Sequence, residues 1–126
     1  MSPRVIIPIV VLAIVLAIGA ATRAPAKGPA PLFVDAREWS VTLSRATVPS
    51  GRVAIQLQNA GEDDHDLRLR RLDRRGRPVG PTRAVPMTHP GTLTEATVHL
   101  TAGRWKLWCS LDGHAAAGMR ATLRAR

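Results

Sequence analysis

Arg104-Trp-Lys-Leu-Trp-Cys-Ser-Leu-Asp-Gly-His-Ala-Ala-Ala-Gly-Met119 decides how this chain is read. It spaces a thiol, an imidazole and a thioether five residues apart, at Cys109, His114 and Met119. Trp105, Leu107 and Cys109 alternate with Lys106, Trp108 and Ser110, the period of a strand with one buried face. The thiol therefore falls at a strand end, where the ladder fixes its backbone and the following loop is free to bend around an ion. Asp112-Gly113 is a turn signal placed to reverse the chain before His114. Ala115-Ala-Ala-Gly118 carries side chains small enough to let Met119 approach the same point, and Met119 to Arg124 reads as the last strand.

A second imidazole stands far upstream, His65 in Asn59-Ala-Gly-Glu-Asp-Asp-His-Asp66. Two imidazoles, a thiolate and a thioether suit copper: the sulfur donors are soft and favour Cu(I), while imidazole serves both oxidation states. Zinc gains little from a thioether and usually completes a structural site with a further Cys or His. A site acceptable to both copper valences needs little rearrangement when an electron passes. Each residue alone has an ordinary reading as well. A lone Cys or Met is commonly core packing, and a His beside acids is commonly a solvated loop residue. The joint pattern is what points to a metal. His89 and His99 lack partners at useful spacing and are assigned no role.

These residues resemble the cupredoxins, single-domain blue-copper proteins of the plastocyanin type. In that family a first His follows an Asn-containing strand, and a Cys, a second His and a Met follow near the C-terminus in that order. The resemblance rests on Cys-Ser-Leu-Asp-Gly-His and Gly-Met-Arg-Ala-Thr-Leu and spans roughly Leu32 to the chain end. It implies a type 1 copper site made by His65, Cys109, His114 and Met119. It further implies that the edge of the second His, within an apolar patch, is where the electron leaves. Asp66 departs from the family's common Asn; a carboxylate there accepts hydrogen bonds but cannot donate them.

The rest of the chain frames that site. Its 126 residues suggest one domain plus an appendage. Residues 1–21 run from a basic start through an uncharged apolar stretch, a hydrophobic helix that suits either a signal peptide or a membrane anchor. Either implies an extracytoplasmic protein. Residues 22–31 are rich in Pro and Ala and read as a linker. Residues 32–126 read as the copper-binding domain. Alternating runs at Trp39–Ser44, Val53–Gln58, Leu67–Arg70 and Glu95–Leu100, with the two strands around the ligand loop, give six or seven short strands. That pattern is all-β, a Greek-key β-sandwich. No stretch after Ala21 has a helical period.

Composition narrows the function. The single Cys excludes an internal disulfide and a two-copper centre bridged by paired thiolates. No nucleophile–base constellation and no Gly-rich phosphate loop is present, so the expectation is a monomeric carrier and not an enzyme, with no small-molecule substrate. The formal charge is +9, and losing residues 1–21 would remove Arg4 alone, leaving +8. Export, few aromatics and no recognition helix argue against nucleic acid. The Arg-rich stretch from Arg68 to Arg77 suits an acidic redox partner, or loose attraction to an anionic membrane, or simply a solvated turn. The leading function is one-electron transport. Copper storage or delivery with the same ligands is the alternative.

Overall fold

The computed structural model describes residues 28–126; the expected N-terminal helix and residues 22–27 of the linker lie outside them. Nine strands form two sheets. In chain order they are β1 (Ala30–Arg37), β2 (Ser40–Leu43), β3 (Thr47–Val48), β4 (Gly51–Asn59), β5 (His65–Leu72), β6 (Pro78–Thr88), β7 (Leu93–Leu100), β8 (Gly103–Trp108) and β9 (Arg120–Ala125). One sheet runs β2-β1-β4-β7 and the other β3-β9-β8-β5-β6. Both are mixed, because β1 lies parallel to β4 and β3 parallel to β9 while the remaining pairs are antiparallel. The expected β-sandwich is the fold observed.

Period-two patterning explains the core. Leu32, Val34 and Ala36 of β1 and Val53, Ile55 and Leu57 of β4 point inward from one sheet. Leu67 and Leu69 of β5, Trp105 and Leu107 of β8, and Leu123 of β9 meet them from the other. Each fully buried aliphatic side chain contributes about 1.5–3 kcal/mol.

Three strands escaped the sequence reading. The first, β1, begins at Ala30, inside the stretch assigned to the linker, and its Leu-Phe-Val run hides the alternation. β3 is only two residues long. β6 contains Pro78, Gly80, Pro81 and Pro86, residues that argue against a central strand. It is an edge strand, paired with β5 alone, so its missing donors interrupt no interior ladder. A single helical turn, α1 (His114–Ala117), also appears after Ala21; four residues are too few to show a period.

Candidate metal centre

The site sits where β5 begins and β8 ends. The strand β4 closes on Asn59, which is fully buried and braces the loop that follows. Its side-chain amide donates to the carbonyls of Asp63 (2.7 Å) and Thr88 (2.8 Å), and its Oδ1 accepts from Gly61 N (2.9 Å). His65 then opens β5 opposite Thr88, and the β5–β6 register slips between His65 and Leu67. Such a bulge turns the side chain at a strand end without disturbing the rest of the ladder.

The second half of the site is closed by its own strands. Cys109 N donates to Met119 O at 3.1 Å, and Met119 N donates to His114 O at 3.0 Å. Between them, α1 is flanked by glycines, Gly113 at φ 78° and Gly118 at φ 135°. Gly118 is required twice over: its backbone is left-handed, and a Cβ there would stand 2.6 Å from the Trp39 carbonyl oxygen. The expected loop of small residues is thus one tight turn of helix that presents His114 toward Cys109.

All four expected residues are buried, His65 and Met119 completely, Cys109 to within 1 % and His114 to within 8 %. Cys109 Sγ lies 3.8 Å from His65 Nδ1 and 3.6 Å from His114 Nδ1. These three donor atoms fall within 4.8 Å of one another. Bond lengths of about 2.3 Å to sulfur and about 2.0–2.1 Å to nitrogen, at angles between tetrahedral and trigonal, put S and N about 3.5–3.8 Å apart. The spacing fits one ion. Met119 joins through the backbone contacts described above. Among the described residues no further His, Cys, Asp or Glu completes the cluster, so the donor set is the soft one that favours copper over zinc.

The surroundings fix which nitrogen faces the ion. His65 Nε2 lies 2.7 Å from Glu38 Oε1, so Nε2–H donates to the carboxylate and Nδ1 is left with its lone pair toward Cys109. Glu38 also accepts from the backbone N–H groups of Glu62 and Asp63, each at 2.9 Å. A Cβ on Gly61 would meet that carboxylate at 2.5 Å, so the glycine leaves room for it. The N–H of Asp63, then that of Glu62, with His65 adding to them, hold the Glu38 carboxyl down at about 2 against an ordinary value of 4.5. His114 is held more loosely. Its Nε2 is 3.4 Å from Asp63 Oδ2, and Trp39, half exposed, packs edge-on with ring centroids 5.1 Å apart.

Burial pushes the Cys109 thiol up, opposed by backbone N–H groups of Leu111 and Asp66 directed at the sulfur. A metal ion inverts that preference, since a coordinated thiol is deprotonated. Asp66 resolves the departure from Asn. Its carboxylate accepts from Ser110 N at 2.7 Å, from the Ser110 hydroxyl and from Arg68 Nε at 2.9 Å. Burial raises its pKa, yet these donors together leave it below the usual carboxylate value. An acceptor-only side chain suits a place ringed by donors. His89 and His99 lie away from the cluster, His89 bonded to Asp64 on the surface and His99 exposed on β7.

The sequence reading missed Glu38, Asp63 and Trp39. Glu38 is 27 positions from His65, and an acid before an exposed Trp carries no local sign of its target.

No protein-family model matches the chain, and no curated protein matches it. Solved structures do. Reduced auracyanin from the photosynthetic bacterium Roseiflexus castenholzii aligns over 79% of this chain and 99% of its own, with TM-score 0.62 and 16% identity. Auracyanin A, a "blue" copper protein from the green thermophilic photosynthetic bacterium Chloroflexus aurantiacus, aligns over 79% and 100%, with TM-score 0.60 and 14% identity. A copper-containing nitrite reductase from Thermus scotoductus matches over 79% of this chain but 32% of its own, with TM-score 0.51 and 17% identity. At such identities the likeness is one of fold, and the donor geometry stands on this chain's own residues. The chain thus has the cupredoxin fold, and its buried His65, Cys109 and His114, with Met119 hydrogen-bonded into their loop, make a donor set fit for one copper ion.

Proposed function

We propose that this protein is an extracytoplasmic one-electron carrier that works by Cu(I)/Cu(II) cycling, with no bond-making step of its own. The observation that carries the reading is the buried Sγ–Nδ1–Nδ1 cluster, with separations of 3.6 and 3.8 Å from sulfur to nitrogen. A copper ion held there supplies a change of valence by one. The chain supplies everything else. His65, Cys109 and His114 would bind it, Met119 would add its thioether, and Glu38 and Asp63 orient the two imidazoles. The sandwich holds the donors at fixed separation, so that little has to move between oxidation states. Trp39 and the 8 % exposure of His114 keep bulk water from the ring while leaving one edge close to the surface, where an electron leaves for a redox partner. Auracyanin A, described as a blue copper protein, shares the fold and supports the same assignment. The uncharged stretch within residues 1–21 supports export, with or without a membrane tether.

Adding cupric ion to the purified protein tests the reading. It should bind one equivalent and develop an intense blue absorption that Cys109→Ser abolishes; a colourless complex, or a serine variant as blue as the parent, refutes the thiolate. Met119→Gln should keep the copper and shift the reduction potential, and unchanged electrochemistry would remove the thioether from the set. Fast electron self-exchange distinguishes a carrier from a protein that stores or delivers copper.

A further inference from the structure

The outer faces of the two sheets differ in charge. In the sheet that carries Cys109, the register places Arg68, Trp108 and Arg120 in one row across β5, β8 and β9. Arg70, Lys106 and Thr122 form the next row, and Leu72, Arg104 and Arg124 the third. At the alternate positions Leu69, Trp105, Leu107 and Leu123 are buried in the core, so these nine side chains share the solvent face. Six of the nine are cations and none is an acid. Among the described residues only Arg68 of the six has an ion pair, with Asp66 at 2.9 Å. The outer face of the other sheet interleaves its charges: Asp35 pairs with Arg37 at 2.7 Å, and Glu95 accepts from Gln56 at 2.9 Å. The chain's positive charge is therefore sorted onto one side.

The basic face adjoins the metal centre. Its first row contains Trp108, the backbone neighbour of Cys109. Lys106 Nζ sits 4.6 Å from the centroid of the Trp108 ring. Both border a groove of about 410 Å³ that also meets Arg120 and Ala115, a residue of the helical turn bearing His114. Three strands about 4.8 Å apart and three rows about 6.7 Å apart spread the cations over roughly 10 by 13 Å of backbone, widened by their long side chains. That spread exceeds a single small anion. The large exposed apolar residues, Phe33, Trp39, Met87 and Leu93, all lie off these nine positions, whose only large apolar side chains are the half-buried Trp108 and Leu72, so the face offers little to insert into a bilayer. A flat cationic face with an aromatic-walled groove complements a folded protein whose surface is acidic and carries a projecting carboxylate.

We propose that the outer face of β5, β8 and β9 is the docking surface for an acidic protein partner, aligned so that the partner abuts the Cys109–His114 end of the sandwich. The proposal rests on the electron-carrier reading for its purpose but not for its test. The probe is a plant-type [2Fe–2S] ferredoxin, an acidic one-electron protein, added in its oxidised form to the 15N-labelled Cu(I) protein and, separately, to the metal-free protein. Binding is followed by amide shift changes, which need no electron to move. Shifts should concentrate on β5, β8 and β9, and affinity should fall about tenfold or more as salt shortens the Debye length from about 30 Å to about 8 Å. The variant Arg70→Glu/Lys106→Glu should lose about tenfold or more in affinity. The control Arg45→Glu/Arg52→Glu changes the net charge by the same amount elsewhere and should lose less than about threefold. Absence of binding at low salt overturns the proposal. So does equal loss in both variants, which would mean steering by net charge alone. Tighter binding to phosphatidylserine vesicles, lost in the first variant, overturns it in favour of a membrane surface. If the map appears while electron self-exchange proves slow, the docking surface stands and the carrier reading falls.

Discussion

The two histidines of the site are held by opposite means. His65 is fully buried at the head of a core strand, its far nitrogen 2.7 Å from a carboxylate that also accepts two backbone N–H groups. His114 rides on one turn of helix between two glycines, with a half-exposed carboxylate 3.4 Å away and a tryptophan edge for a roof. One imidazole is fixed by the sandwich and the other by a short local loop. A carrier benefits from both: the first sets the ion's place, and the second keeps a ligand near the surface where electrons are exchanged.

That contrast can be broken most strongly at Glu38. Glu38→Gln removes the anionic acceptor from His65, and Cu(II) affinity should fall about 10–100-fold. Asp63→Asn, acting on His114 across the longer contact, should cost less than about threefold. Competitive copper titration of the two variants checks the ordering, and equal losses would erase the distinction. Gly118→Ala probes the loop-held histidine from its other side. A methyl group against the Trp39 carbonyl, at a left-handed backbone position, should destabilise the protein by about 1–3 kcal/mol, read by thermal unfolding with and without copper.

The smallest expected effect is on pH dependence. Glu38 has a folded pKa depressed to about 2, so it contributes stability that is fully present above its ordinary value of 4.5 and is lost as pH falls toward 2. Denaturant midpoints of the metal-free protein should decline through that window, and Glu38→Gln should flatten the decline. Because the carboxylate is partly open to solvent, the change is a modest slope and not a cliff.

Much of this was legible before any coordinates. Cys109, His114 and Met119 lie close in the chain at a strand end, and residue type alone names their chemistry. The core strands declared themselves through alternation at Val53–Gln58 and Trp105–Cys109. What could not be read depends on three-dimensional proximity. Glu38 reaches His65 only because the sandwich brings the end of β1 beside the loop after β4, and Asp63 reaches His114 from that same loop. The helical turn at His114 is set by two glycines and a Trp39 carbonyl, not by periodicity. β6 was hidden by prolines whose tolerance follows from its place in the sheet order.

Those prolines have a consequence for the molecule's life in a crowded compartment. The outer margin of a sheet is a template onto which a stranger's strand can zip, and each missing amide hydrogen removes a tooth. With Pro78, Pro81 and Pro86 along that margin, the eleven-residue strand is poorly suited to recruit a second copy. Resistance to polymerisation is thereby written into the same residues that disguised the strand.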